Sequence, residues 1–334
     1  MKEPEPNHQS QLKLLKKGAF IFGDSKNPPD QPPPWLDKER FYRARVIFKK
    51  YFFSIFFIHL SGLMLTIHLP SMLPPLLATG KSANLMCLFQ RYLSTMLHIR
   101  RWYEGDVWNP EDPAHKSIIT VRKMHKRVAD RLNDSKEHGA CPLSKKDVVY
   151  VSQYDMAIAQ FAFIGLAVLY PTTVGITCSK EDLECLIHFW RGVGYLLGME
   201  DRFNLCQGTY EETTNLCREI LEEVVKPAIK SSPKETTQMS RNVVKALNSF
   251  IIFLSWEAMA KFWFQIIDLP TDFAMAVMEK TGFWLMWITF RYILRVVYFH
   301  VFFNFLLRFT LRYVVVRKLQ FENYLRKYIS PAQV

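Results

Sequence analysis

The stretch Ile118–Leu132, IITVRKMHKRVADRL, decides how this chain is read. Val121, Met124, Val128 and Leu132 recur at helical spacing, which lays them along one stripe of an α-helix. Lys123, Lys126, Arg127 and Asp130 form the polar face. His125 lies on the apolar stripe, and Arg122 sits at its edge about one turn earlier. The helix therefore directs an imidazole at a core. Two readings follow. In one, His125 is a core histidine satisfied by backbone or by a carboxylate. In the other, it offers a ring nitrogen to a metal, most simply haem iron. Spacing alone favours the first.

A second helix carries polar groups on an apolar face. In residues 87–103, CLFQRYLSTMLHIRRWY, Leu88, Tyr92, Met96 and Ile99 form one stripe. Arg91, Thr95, His98 and Trp102 form another beside it. Arg91 and Thr95 are one turn apart and project the same way. An inward arginine needs an anionic partner, because an unpaired buried charge is costly. None lies nearby: no Asp or Glu occurs between Arg40 and Tyr103. The partner is then a distant carboxylate, a set of helix-end carbonyls, or an anionic group on a ligand such as a haem propionate.

The rest of the 334-residue chain agrees with an all-α fold. Its long apolar runs show no strand-like alternation, and it has only 13 glycines. Residues 1–34 read as a flexible tail, since NPPDQPPP (27–34) favours extended polyproline structure. The first 35 residues have no signal-peptide pattern. Asp37 is the expected N-cap of a helix running to Lys50. Residues 51–69 and 158–177 are uncharged runs, broken by Pro70 and Pro171, and each scans as a membrane span. Residues 243–268 read as one further helix, too charged at Glu257 and Lys261 for a span. Residues 281–316 are apolar and aromatic but carry Arg291, Arg295, Arg308 and Arg312. A central arginine costs a span at least about 2.5 kcal/mol, so this stretch reads as two helices that enter or lie on a bilayer.

Net charge is +12, partly from Lys and Arg between Arg308 and Lys327, which suits an anionic membrane surface. No zinc-finger, RNP-type or Gly-rich basic pattern is present, and nucleic acid is not an expected partner. The six cysteines form no CxxC and no zinc spacing, as free thiols in a reducing compartment would.

RYLST (91–95), VRKMH (121–125), SQYDMAIAQFAF (152–163) and HFWRGVGYLLGMEDRFNLC (188–206) resemble, in order and spacing, the family of ER-bound oxygenase mpaB and the latex-clearing rubber oxygenases. The resemblance covers roughly residues 35–260. It implies a single large, globin-like helical domain binding one b-type haem, with O2-dependent cleavage of an isoprenoid C=C bond. His125 then matches the proximal iron ligand, Arg122 the arginine one turn before it, and Arg91 and Thr95 the pair lining the haem pocket. It also implies an apolar small-molecule substrate, residence at the endoplasmic reticulum, and a core role for 51–79. The domain expected is 35–275, followed by membrane-associated helices in 276–334 that meet lipid through 281–316.

Two departures touch the chemistry. Latex-clearing proteins carry a lysine just before the pocket threonine, and here that residue is Ser94, a poor iron ligand. They also place a glutamate base upstream of the arginine motif, in the stretch where this chain has no acid. Asp155 and Glu104 are left as candidates by elimination. His188 and Arg191 read as structural, and Asp201 and Arg202 as ion-pair or capping residues. Two other functions compete with the oxygenase: a silent binder of haem or an apolar ligand on the same fold, and a multi-pass transporter or receptor.

Overall fold

A computed structural model describes residues 11–134, 149–251 and 253–327. Its helices follow local signals. Asp37 caps the N-terminus of α2 (Lys38–Lys50) by accepting from Arg40 N at 3.1 Å. A corner at Tyr51 leads into α3 (Phe52–Thr66), which stops before Pro70. Before these lies the short α1 (Gln11–Lys17), and after them α4 (Leu73–Ala78). Asn84 caps α5 (Leu85–Glu104), and α6 spans Pro113–Asp134. Ser152 and Asp155 make a reciprocal capping box at α7 (Gln153–Leu169), and Ser179 caps α8 (Lys180–Leu196). Then come α9 (Tyr210–Ile220), a π-turn and α10 (Lys226–Lys230), α11 (Lys234–Asn248) and α12 (Trp256–Ile266). The chain closes with α13 (Val277–Arg291), α14 (Val297–Val316) and α15 (Lys318–Arg326). Among the described residues there is no strand, only an antiparallel bridge between Phe22 and Ser152.

The core is built on α3 against α7. They approach so closely at Gly62 that a Cβ there would lie 1.9 Å from the Ala162 carbonyl oxygen. Gly192 admits the Phe41 ring where α8 meets α2. Tyr103 stacks between Phe48 and Phe189, and its hydroxyl accepts from Trp190 Nε1 at 2.8 Å. The recurring glutamines of α7 are wired into backbone. Gln160 Nε2 donates to Trp190 O at 2.7 Å, and its Oε1 accepts from Leu205 N at 2.9 Å. A buried amide with both ends paired fixes how these segments dock.

Three expectations change. Residues 243–268 are two helices, α11 and α12, separated by a break between Asn248 and Ser255. The run 51–69 forms the core helix α3 that the resemblance implied, but 158–177 is no span: it runs only partly in α7, which ends at Leu169 and packs on α3. Among the described helices α14 alone is long and apolar enough to cross a bilayer, unless α2 and α3, bent by 96°, count as one span. The stretch 11–34 is no loose tail. Leu12 and Leu15 are buried in the core, and Gln153 Nε2 holds the carbonyls of Phe22 and Gly23, each at 3.1 Å. Polyproline composition disfavours helix, but it does not prevent docking when the backbone finds partners elsewhere. The last helices pack on the earlier ones, α13 on α12 and α14 on α3 and α2.

The way α14 packs accounts for Arg308. His300, Asn304, Leu307, Leu311 and Val314 form its inward stripe. Asn304 accepts from Phe53 N at 2.8 Å and donates to Lys50 O at 2.8 Å, satisfying the backbone freed at the α2–α3 corner. Arg308 turns to the same side, pairing with Glu104 at 2.6 Å and lying 4.0 Å over the Phe52 ring.

Candidate active site

Between α3, α5, α7, α13 and α14 lies a cavity of about 430 Å³ with mainly apolar walls. That is within the usual range for a small-molecule site. Phe56, Phe57 and Leu63 line it from α3, Met96 and Ile99 from α5, Ala159 and Ala162 from α7, and Met286 and Phe303 from the last helices. Its polar groups are few: His59, Thr66, Arg91, Tyr92, Thr95, His125 and Thr289. Arg91, Thr95 and His125, which sequence spacing placed on two inward stripes, are thus brought together.

His125 lines both this cavity and a second cleft of about 460 Å³, of mixed lining, whose charged groups are Asp24, Lys26, Arg122, Lys126 and Asp130. Its Nδ1 is shut off from solvent without a hydrogen-bond partner. Burial, with the nearby Arg91 charge, pulls its pKa down to about 4. The imidazole is therefore neutral at physiological pH, the form that carries a free lone pair.

Arg91 has no carboxylate partner among the described residues. Its Nη1 donates to Leu76 O at 3.0 Å, Thr79 Oγ1 at 3.2 Å and Ser82 Oγ at 3.1 Å, so it serves the C-terminal end of α4. Burial lowers its pKa, but a guanidinium stays charged. Thr95 Oγ1 donates back to Arg91 O at 3.0 Å. Ser94 is exposed and lines neither cavity, so it does not face the site.

Arg122 is also placed differently. It is buried, and the inward stripe of α6 runs through Ile118, Val121, Arg122, Ala129 and Leu132, while Met124 is exposed. The guanidinium Nη2 donates to Asp24 Oδ1 at 2.5 Å and to Asn27 Oδ1 at 2.9 Å, and Nη1 to Asn27 O at 2.9 Å. Burial raises the Asp24 carboxyl, but the hydrogen bonds from Arg122 and Lys26 N, with the Arg122 and Lys126 charges, together leave it below the ordinary value. Arg122 therefore ties the N-terminal segment to α6, on the cleft side of His125. The two acids left by elimination lie outside the cavity too. Asp155 closes the α7 capping box, and Glu104 bridges Arg100 and Arg308. His188 accepts from Asp37 N, and Arg191 pairs with Asp201 at 2.6 Å while lying 4.0 Å over Trp35, both structural as expected.

Two cavity groups gave no sequence signal of a role. His59 is 5% exposed among Phe56, Phe163 and Trp190, with both ring nitrogens unpartnered. The Tyr92 hydroxyl is likewise buried and unpartnered. His59 sits inside an uncharged run and Tyr92 in an apolar stripe, so composition marks both as core. Among the described residues no three His, Cys, Asp or Glu side chains gather as metal ligands. A metal bound here would need most of its donors from a prosthetic group.

With this geometry in view, the comparisons with known proteins assign a class. Residues 50–298 match an oxygenase catalytic domain. The chain belongs to the family described as ER-bound oxygenase mpaB/B'/Rubber oxygenase, catalytic domain. Its fold is similar to that of latex clearing protein LCP in the closed state, with a TM-score of 0.57 over 94% of this chain and 81% of that one. Identity between the two is 13%, so the likeness is one of fold. No curated protein matches this chain in sequence.

Proposed function

We propose that the chain is a haem b-dependent oxygenase that cleaves a C=C bond of an apolar, isoprenoid-like substrate with O2. One observation carries the reading: His125 brings a neutral imidazole, its buried Nδ1 without a partner, to a largely apolar cavity that also holds the Arg91 cation. The residues present fit a haem. His125 would hold the iron, and Arg91 would offer donors to an anionic edge. Bound there, the haem supplies the O2 chemistry.

The chain's own residues prepare the site. Burial and Arg91 keep His125 unprotonated, so it need not lose a proton to become a ligand. Phe56, Phe57, Leu63 and Met96 exclude water and favour an alkenyl chain, at about 0.8 kcal/mol per buried methylene. Tyr92 has a hydroxyl proton with no acceptor among the described residues, free for an oxygen atom in the cavity. Thr95, committed to the Arg91 carbonyl, orients rather than reacts.

A second reading is a silent binder on the same fold. It is favoured by the lack of a carboxylate among the described residues lining the cavity and by the exposed Ser94. Purified protein expressed with ample haem precursor separates the two. We expect a Soret band, its loss in His125→Ala with folding retained, and O2 uptake with carbonyl products from squalene or a polyprenol. Haem without turnover would leave the binder. No haem in the wild type would end both haem readings.

We also propose that the protein sits on a membrane, with the family's endoplasmic reticulum as its site. Support comes from the outer faces of α13 and α14, where Trp284, Ile288, Tyr298, Phe302, Phe305 and Phe309 are all exposed. A patch of this size is rare on a soluble monomer.

A further inference from the structure

Two side chains belong both to the cavity wall and to the exposed apolar surface: Phe253, 44% exposed, and Leu285, 46% exposed. A residue with one side in a cavity and the other in the open stands at its mouth. The mouth therefore lies where Phe253 meets α13. The contact there is close, since a Cβ on Gly282 would come within 2.5 Å of the Phe253 carbonyl oxygen. Phe253 also holds a positive φ of 68°, a left-handed conformation that a bulky residue adopts only when its surroundings impose it.

What lies outside the mouth is not ordinary surface. From Leu285 the exposed side chains run through Ile288 and Tyr292 onto the outer face of α14. Between residues 284 and 309 the one exposed charge is Arg295. Beyond that band the surface turns basic, with Arg312, Arg317, Lys318, Arg326 and Lys327 all exposed. An apolar face ending on a cationic edge suits the acyl layer and anionic headgroups of a bilayer.

We infer that the opening between Phe253 and Leu285 is a lateral portal, through which an apolar long-chain substrate passes from the lipid bilayer into the cavity. Such a molecule has almost no free concentration in water. A mouth set within the lipid-facing surface lets it enter without its chain being hydrated. The substrate class rests on the proposed oxygenase reading, but the route does not.

The test uses the full chain on phosphatidylcholine/phosphatidylserine vesicles carrying a C20 isoprenoid alcohol with an alkyl diazirine. After illumination, labelled residues are mapped by mass spectrometry. Wild type should be labelled on α13–α14 and also inside, on α5 and α6. Leu285→Arg should lose the interior labels and keep the outer ones. Ile288→Arg, the same charge on the same face but off the cavity, should keep both. Circular dichroism checks that each variant is folded. Interior labels that persist in Leu285→Arg, or that are absent from wild type, would overturn the portal. So would a protein that ignores vesicles and buries this face in a dimer. Haem content and O2 uptake, measured separately, report on the oxygenase reading.

Discussion

His59 sits in an aromatic cage with nothing to bond to. Burial drives its pKa to about 3, and burial likewise takes His68, bonded to Ser232 at 2.8 Å, to about 4. Both are depressed below the unfolded value of 6.5, so the folded state resists protonation. Below pH 6.5 the unfolded chain takes up protons that the folded chain refuses, and stability falls with pH until the folded groups titrate. We expect the urea midpoint to drop steadily from pH 7 to about 4. His59→Leu removes two unsatisfied nitrogens, so it should hold or raise stability at pH 7 and flatten the acid slope. A variant with the wild-type slope would show that the acid response lies elsewhere. Arg122 gives the opposite lesson about a buried ionised group: it is fully engaged, by a carboxylate 98 positions earlier in the chain.

At the scale of elements, the α3–α7 crossing is the least forgiving place. Gly62→Ala would drive a methyl into the Ala162 backbone, which cannot swing aside as a side chain can. We expect a loss of about 3 kcal/mol, read as a lower denaturation midpoint, or no folded protein at all. Unchanged stability would mean the two helices can slide apart. The caps of α2 and α7 were readable because Asp37 and Ser152 act within one turn. The inward direction of His125 was readable from period alone. Period alone turns α6 by about one residue, with Met124 inside, because the burial of Arg122 depends on Asp24 and no local pattern reports that. Docking of 11–34 was hidden for the same reason: its contacts with Gln153 and Gly198 are long-range. The cavity's polar members, His59 and Tyr92, were hidden because core and site look alike within an apolar run.

At the scale of the whole molecule, the exposed apolar side chains concentrate on α13 and α14 among the described residues. Phe302→Glu with Phe305→Glu should move the protein from the membrane to the soluble fraction while leaving its circular dichroism intact. High salt alone should release little of the wild type, since apolar burial outweighs the basic edge. Release of wild type by salt would assign the attachment to charge. The N-terminal segment carries a further consequence, for synthesis. Asp24 needs Arg122, Ser25 N donates to Gly198 O, and the Asn27 side-chain amide donates to Tyr195 O. Its seat is incomplete until the C-terminal end of α8 has left the ribosome, some 170 residues later. At 5–20 residues per second that is a wait of roughly ten to thirty seconds. Until then Leu12 and Leu15 lack part of the surface that buries them, and the segment stays exposed on the nascent chain.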